Sequence, residues 1–145
     1  MQSTTMANIG DISAIYNKFG SSTPTLKDNI FKKEPGYNNC VVLFGSTWTS
    51  GGYNISNDDS CSLMAVGDLS NIDPLLGSFG NWGGPTKTFL LNANSPALDH
   101  RPGVCLFSVN YLVDDQRHWP RDDGKCDTGA YEYSPFMLYL PFISK

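Results

Sequence analysis

The chain has 145 residues and a formal net charge of −4, from 10 Lys and Arg against 14 Asp and Glu. This length fits one domain, and the acidic balance argues against nucleic-acid binding, which needs a basic face. Asn, Ser, Gly and Pro are abundant while Glu occurs twice, so turn formers outnumber good helix formers. We therefore expect a loop-rich all-β protein and exclude a helix bundle or a doubly wound α/β fold.

The apolar pattern predicts short strands separated by long irregular stretches. Residues 25–31 place Leu26 and Ile30 on one face and read as a half-buried strand, and residues 41–44 read as a second, buried strand. Residues 71–88 hold two prolines and four glycines and predict an ordered loop. A β-sandwich needs about seven strands of comparable length. Because a parallel β-helix tolerates short strands joined by irregular turns, it is the favoured alternative.

The four cysteines form two pairs with the same spacing. Twenty residues separate Cys40 from Cys61, and twenty separate Cys105 from Cys126. Zinc sites show closely spaced ligand pairs, which are missing here, so we predict the local disulfides Cys40–Cys61 and Cys105–Cys126. Disulfides persist outside the cytosol, which predicts an exported protein.

The first twenty residues lack the features of an export signal. They have no basic start, no apolar run of 7–15 residues and no small-residue cleavage site. We therefore expect the chain to be a piece of a longer precursor. The longest apolar stretch, residues 136–143, is too short for a transmembrane helix, which needs about 20 residues.

A series of short motifs resembles one protein family. The motifs are 73–77 (DPLLG), 81–86 (NWGGPT), 94–99 (NSPALD), 115–117 (DQR), 120–121 (PR) and 126–132 (CDTGAYE). In this order they resemble the C-terminal region of bacterial choice-of-anchor Q domain proteins, over residues 24–133. The chain departs from the family at His100-Arg101 and at His118-Trp119, where the family usually has glycine.

The resemblance implies a short right-handed parallel β-helix with a loop-rich, disulfide-stapled C-terminal cap. Residues 1–70 would be the final coils, and residues 71–134 would form a cap region of the same domain. Residues 135–145 would be a tail for anchoring or docking. Within that tail, Tyr139, Leu140, Pro141 and Phe142 are similar to the tails of other exported bacterial proteins.

The triplet at 115–117 allows a catalytic or a structural interpretation. Asp115 could act as a base with Arg117 as an anion clamp, but a structural ion pair is the favoured hypothesis. The predicted ion pair consists of Asp115, Arg117 and Asp127, with Asp99 and Glu132 as further candidate partners of Arg117. Adjacent aspartates such as 58–59 do not make a glycosidase pair, because neighbours on a strand point to opposite faces.

Metal and sugar sites find weaker support. Calcium could bind residues 122–127, or Asp68 with Asn71 and Asp73, but neither matches a complete calcium loop. We therefore predict no cofactor and no metal. A further set of residues, aromatic and in turn-rich segments, could stack on sugars or cover the open end of the core: Tyr37, Trp48, Tyr53, Trp82 and Trp119.

These observations lead to three hypotheses of function. The first is a non-enzymatic structural or adhesive module of an exported bacterial cell-surface protein, whose partner would be a surface protein or polysaccharide. The second is the C-terminal part of a carbohydrate-active β-helix enzyme, a polysaccharide lyase or hydrolase. The third is a small accessory subunit of an envelope-associated assembly.

Overall fold

The structure, a computed structural model, describes residues 15–17, 23–42, 47–103, 105–107, 110–111, 113–121 and 123–134. Within these residues the protein is all-β and contains no helix, as the composition predicts. The sheets are small, with two or three strands each, and parallel and antiparallel pairs both occur. None of the described segments forms a helix that is long and apolar enough to cross a membrane.

Residues 15–70, here called the parallel region, contain the parallel strand pairs. Its strands are β1 (Ile15–Asn17), β2 (Thr25–Lys27), β3 (Ile30–Phe31), β4 (Cys40–Val42), β5 (Thr49–Gly52), β6 (Ile55–Ser56) and β7 (Leu69–Ser70). β1 pairs with β4, β2 with β5 and β3 with β6, and β7 then adds to β6. Each of the first three ladders therefore joins a strand to the third strand after it.

The interval between paired residues is nearly constant in this region. Ile15 pairs with residue 40 and Ile30 with residue 55, each 25 positions later, and Thr25 pairs with residue 49, 24 positions later. The last step is shorter, since Ile55 pairs with residue 69. The chain thus returns alongside itself twice. We call the three successive passes the levels of the parallel region; β3 belongs to the first, β6 to the second and β7 to the third.

A residue with left-handed backbone conformation, here called a corner, precedes β3, β6 and β7 alike. Asp28, Tyr53 and Gly67 occupy equivalent positions and all have positive φ, at 55°, 55° and 75°. This left-handed corner breaks the strand predicted over residues 25–31 into β2 and β3. Glycine is required at the third level, because a Cβ on Gly67 would lie 2.3 Å from the ring of Tyr53.

The cap region, residues 71–134, contains the antiparallel pairs. Its strands are β8 (Leu76–Gly80), β9 (Thr88–Leu91), β10 (Leu106–Phe107) and β11 (Asn110–Tyr111). The prediction of an irregular loop over 71–88 is wrong for β8, which pairs with β9. Phe79 stands opposite Phe89 in this ladder with ring centroids 4.8 Å apart, and such aromatic pairs stabilise hairpins despite flanking glycines.

Two apolar clusters form the core. The first lies within the parallel region and consists of Leu26, Phe31, Cys40, Cys61 and Leu63, with Trp48 packed against it. The second joins both regions and consists of Ile30, Ile55, Leu91, Ala97 and Tyr131, with five partly buried neighbours. Consecutive residues of a strand point to opposite faces of its sheet. Phe31 belongs to the first cluster and Ile30 to the second, so the two clusters lie on opposite faces of the β3–β6–β7 sheet. The cap region therefore packs along the side of the parallel region.

The structure forms both predicted disulfides. Cys40 bonds to Cys61 and Cys105 bonds to Cys126, and the described residues include no free cysteine. The first disulfide belongs to the apolar cluster of the parallel region, and the second closes a loop of the cap region. Two disulfides in a chain of this size are typical of an oxidising, extracellular environment.

Candidate functional site: buried charges of the cap region

The Asp115–Arg117 pair is entirely buried. Both side chains have 0% exposure, and Arg117 donates from Nε and Nη2 to Asp115 Oδ2 at 2.7 and 2.6 Å. Asp115 Oδ1 also accepts from the backbone N–H of Arg117 and of Trp119, which fixes the turn between them. Because both carboxylate oxygens of Asp115 accept hydrogen bonds from the protein, this residue is placed to order the backbone and not to contact a substrate.

Arg117 also connects three separate segments. Its Nη2 donates to the carbonyl of Glu132 at 2.6 Å, and its guanidinium lies 3.6 Å from the ring centroid of Tyr131. Gly84, at the tip of the β8–β9 hairpin, packs so closely that an added Cβ would meet the Cα of Arg117 at 2.4 Å. A cation on an aromatic face is stabilising, more so when water is excluded. The residue therefore locks the hairpin, the 115–119 turn and the C-terminal segment together.

A second buried arginine lies beside the first pair. Arg121 Nη1 donates to Glu132 Oε2 at 2.5 Å and to the carbonyl of Asp127 at 3.0 Å, while Nη2 donates to the carbonyl of Gly129. The same Nη1 lies 3.7 Å from Cys126 Sγ and 3.9 Å from Cys105 Sγ. Arg121 therefore satisfies backbone carbonyls that no sheet ladder reaches.

The acidic groups of this cluster have shifted pKa values. Burial, with the neighbouring charge of Asp127, raises the pKa of Glu132 from 4.5 to about 7, against the opposing effect of Arg121. Burial also raises the pKa of Asp127, although its carboxylate accepts from the backbone of Tyr133 and Asp99. Near neutral pH the cluster therefore sits close to a protonation change at Glu132.

Of the carboxylates predicted to pair with Arg117, Asp115 does so and the others have different partners. Asp127 accepts the N–H groups of Asp99 and Tyr133, at 2.8 and 2.6 Å, and so stabilises backbone instead of joining Arg117. Asp99 pairs with Lys125 at the surface, and Glu132 pairs with Arg121. The carboxylate that holds Arg117 is the one two residues earlier, because the tight 115–118 turn brings it within reach.

A second polar junction joins the cap region to the corners of the parallel region. Arg101 pairs with Asp28 of the first level at 2.8 Å, and Thr128 donates from Oγ1 to the carbonyl of Tyr53 at the second level. His100 lies edge-on to the Tyr53 ring, and its Nδ1 is 2.9 Å from Thr128 Oγ1. Burial lowers the pKa of His100, so the neutral ring is favoured in this junction.

Polar side chains also stack inside the parallel region. Asn29 donates to Asn54 Oδ1 from both its backbone N–H and its Nδ2, at 3.1 Å each. Asn54 in turn donates from its backbone N–H and Nδ2 to Asp68 Oδ1 at 3.0 Å. The three side chains form a column through the three levels, next to the left-handed corners that they stabilise.

Two of the carboxylates considered for calcium, Asp68 and Asp73, accept hydrogen bonds from the protein, whereas Asp122 lies outside the described residues. Asp68 accepts from Ser50 and the N–H of Ala65 as well as from Asn54, and Asp73 accepts from Lys32 and the N–H of Leu75. In the described part of the chain, Cys105, Cys126 and Glu132 lie close enough together to suggest a metal site. The two cysteine sulfurs are bonded to each other in a disulfide, whereas metals bind the free thiolate.

The aromatic residues considered for sugar stacking are in different environments. Trp48 donates from Nε1 to the carbonyl of Cys61 and packs on the first core cluster, and Tyr53 belongs to the junction with His100. Trp82 folds over Gly80 of its own hairpin, with Nε1 donating to the carbonyl of Ser78. Trp119 lies 3.3 Å from the position that a Cβ on Gly83 would take, and Tyr37 is exposed. The five residues therefore do not form one surface.

The proposed tail residues Tyr139, Leu140, Pro141 and Phe142 lie outside the described residues, and their docking role stays a prediction. No protein-family model matches the chain, and the searches of curated proteins and of solved structures gave no significant match. The site is therefore interpreted from its own geometry.

Sequence reasoning missed the asparagine column and the junction at His100 and Arg101. The column had a usable signal, since Asn29 and Asn54 are 25 residues apart, the same interval that separates the paired strands. The junction had none, because Arg101 and Asp28 are 73 residues apart and belong to segments with unrelated patterns.

Proposed function

We propose that the chain forms a short right-handed parallel β-helix, closed by a disulfide-stapled cap, and serves as a non-enzymatic structural or adhesive module of an exported bacterial surface protein. The observation that carries the proposal is the constant interval of 24–25 residues on three separate parallel ladders. A chain that returns alongside itself on three ladders after nearly the same number of residues supports a coiled arrangement.

The repeated corners support the coil. Asp28 and Tyr53 adopt the same left-handed conformation 25 residues apart, and the neighbouring Asn29 and Asn54 hydrogen-bond to each other. Strand pairing, corner geometry and side-chain stacking thus repeat with one period, as in solenoid proteins built from similar turns. The resemblance to choice-of-anchor Q proteins supplies the right-handedness and the surface location.

The buried charges support a structural role over a catalytic one. Asp115 and Arg117 are closed to solvent, and Arg121 and Glu132 are almost so, with side-chain exposures of 1% and 6%. Their bonds go to one another and to nearby backbone. Such a cluster orders a loop-rich region that has few ladder hydrogen bonds, which is the requirement of a cap.

The cap region would give the module its solubility, because it covers the apolar face that Ile30 and Ile55 present on the β3–β6–β7 sheet. Left uncovered, an apolar face of this kind promotes association. The third level of the parallel region steps forward after 14 residues instead of 25, and the chain then enters the cap region. The Cys105–Cys126 disulfide orders the cap region, and the contacts of Arg101 with Asp28 and of Thr128 with Tyr53 would keep that cover in place outside the cell.

The test compares adhesion with turnover. Beads coated with the full chain are incubated with isolated bacterial envelopes and with acidic polysaccharides, with and without calcium, and the supernatant is assayed for new reducing ends and unsaturated products. We expect bead retention on envelopes and no product. Metal-dependent product formation would overturn the non-enzymatic proposal in favour of the carbohydrate-active alternative. If the beads are not retained on the envelopes and no product forms, adhesion is rejected.

A further inference from the structure

The two disulfides lie in chemically different surroundings. Cys40 and Cys61 belong to an apolar cluster with Leu26, Phe31 and Leu63. The Cys105–Cys126 disulfide lies against the charge cluster, where Arg121 is within 3.7–3.9 Å of both sulfurs. A carboxylate oxygen of Glu132 also lies within 4.8 Å of both sulfurs. Burial does not distinguish the two disulfides, because all four cysteines have exposures of 4% or less.

Glu132 has unused hydrogen-bonding capacity in this site. Its Oε2 accepts from Arg121 and from the N–H of Asp127, whereas Oε1 is buried and has no partner among the described residues. A disulfide offers no hydrogen to this oxygen, but a thiol does. Leaving a buried acceptor unsatisfied costs about 1–3 kcal/mol, so a nearby S–H group would relieve a cost that the oxidised protein bears.

We propose that Cys105–Cys126 is the redox-responsive disulfide of this protein, and that Glu132 acts as the proton-exchanging residue of its opening. The reduced thiols would remain between Arg121 and Glu132, with an S–H group donating to the carboxylate. Among the described residues, no carboxylate oxygen lies as close to both sulfurs of Cys40–Cys61. The buried Asp58, three residues before Cys61, already accepts from Asn39, Ser56 and Ser60. Cys40–Cys61 would therefore serve as the permanent staple.

The reaction balances with a dithiol as the reductant. The reductant's thiolate attacks one sulfur, the bond between Cys105 and Cys126 breaks, and the leaving sulfur takes the proton of neutral Glu132. The second thiolate of the reductant then attacks the mixed disulfide and releases the other cysteine. The reductant leaves as a cyclic disulfide; one of its two protons completes the second thiol and the other goes to solvent, so Glu132 ends as a carboxylate that accepts from the thiol.

The charges that face Glu132 set the pH dependence. Arg121, Asp127 and Asp123 act on its carboxyl, and Asp115 and Arg117 contact its backbone. Its pKa of about 7 in the oxidised state means that both protonation forms exist near neutral pH. A thiol hydrogen bond favours the ionised form, so reduction becomes easier, relative to Cys40–Cys61, as the pH rises from 6 to 8.

The test is an equilibrium titration of the full chain, because an equilibrium does not depend on access to buried sulfurs. The protein is held in mixtures of reduced and oxidised dithiothreitol at pH 6, 7 and 8, quenched with an alkylating reagent, and mapped by peptide mass spectrometry. We expect Cys105–Cys126 to be half reduced at an about tenfold lower ratio of reduced to oxidised reagent than Cys40–Cys61, or about 30 mV. We also expect this gap to widen with pH.

The Glu132→Gln variant tests whether easier reduction of Cys105–Cys126 depends on proton exchange at Glu132 or only on a less rigid loop between the two cysteines. This variant keeps the shape but cannot ionise, so the gap between the two disulfides should stop changing with pH. An unchanged midpoint for Cys40–Cys61 shows that the variant has folded. Asp58→Asn, which removes a buried carboxylate near the other disulfide, should leave the Cys105–Cys126 midpoint unchanged.

Two results would overturn the proposal. Equal midpoints for the two disulfides, or earlier reduction of Cys40–Cys61, would reject the redox-responsive assignment. A gap that varies with pH equally in the wild type and in Glu132→Gln would reject the role of Glu132. Both results are independent of whether the protein is adhesive.

Discussion

Asn29 and Asn54 occupy equivalent positions on successive levels of the parallel region, with Asn29 Nδ2 donating to Asn54 Oδ1 at 3.1 Å. Neither side chain is on the surface, since Asn29 is 2% exposed and Asn54 is 0% exposed. Their contact adds side-chain hydrogen bonds between the levels, next to backbone bonds such as that from the N–H of Ile55 to the carbonyl of Asn29. Stability of the parallel region should therefore depend on the column as well as on its short strands.

Replacing Asn54 by Ala should be strongly destabilising. The change removes donors to Leu26, Ser50 and Asp68 and leaves buried partners unsatisfied, which should lower the free energy of unfolding by about 2–4 kcal/mol. Urea unfolding followed by circular dichroism measures the loss. Asn94→Ala, at an exposed turn, is the control and should change little. Equal effects of the two substitutions would contradict the column.

Residues 54–56 (NIS) match the acceptor pattern for N-glycosylation, but Asn54 should carry no glycan in the folded protein. Asn54 and Ser56 are both 0% exposed, and a sugar on Asn54 Nδ2 would displace three hydrogen bonds. Expression in a glycosylating secretory host, followed by peptide mass mapping of the soluble monomer, tests this. A glycan at Asn54 in soluble protein with both disulfides intact would show that the column is not closed.

Arg117→Lys should destabilise the cap region although it keeps the charge. Lysine lacks the planar fork that contacts Asp115 and the carbonyl of Glu132 at once, and it stacks less well on Tyr131. We expect a loss of about 2–4 kcal/mol, since a buried carboxylate is left poorly paired.

The control for this loss is Lys125→Ala, which breaks the exposed pair with Asp99. Exposed ion pairs contribute little, so chemical denaturation should show no measurable change. A loss for Lys125→Ala that matches the loss for Arg117→Lys would refute the distinction between the two sites.

Glu132 should make the oxidised protein less stable as the pH rises towards neutrality. Its pKa is raised from 4.5 to about 7 in the folded protein, so the folded state binds the proton more tightly than the unfolded chain does. The resulting stabilisation is complete below pH 4.5 and is lost as the pH rises through about 7. Thermal melts from pH 4.5 to 8 should show this decline in the wild type and a flatter profile in Glu132→Gln. Parallel profiles would exclude the effect.

His100 should act in the opposite direction. Burial holds its pKa below the ordinary value of 6.5, so the unfolded chain binds the proton first. Stability is therefore complete above pH 6.5 and falls as the pH drops through the lowered pKa, with Asp68 partly opposing the loss. His100→Gln should remove this acid-side loss in melts between pH 5 and 7. An acid-side loss of the same size in the variant would assign the loss to groups other than His100.

Local chemistry was predictable from the sequence, and long-range placement was not. The all-β class followed from residue types, and both disulfides followed from cysteine spacing. The predicted ion pair included Asp115, Arg117 and Asp127; the structure pairs Arg117 with Asp115, while Asp127 accepts backbone N–H groups. The β8–β9 hairpin was missed because its glycines and prolines hide the pairing of Phe79 with Phe89. Patterns of period two do not identify strands that are two or three residues long.

The contact between Arg101 and Asp28 also bears on the order of folding. The two residues are 73 positions apart, and Thr128 meets Tyr53 across 75 positions. During synthesis the levels of the parallel region emerge well before the segment that seals their corners. Contacts of such long range are slow to form, because loop closure must be paid for first. The corners of the newly made parallel region therefore stay unsealed until residues 101–128 have been made, so we expect chaperones to protect it during that interval.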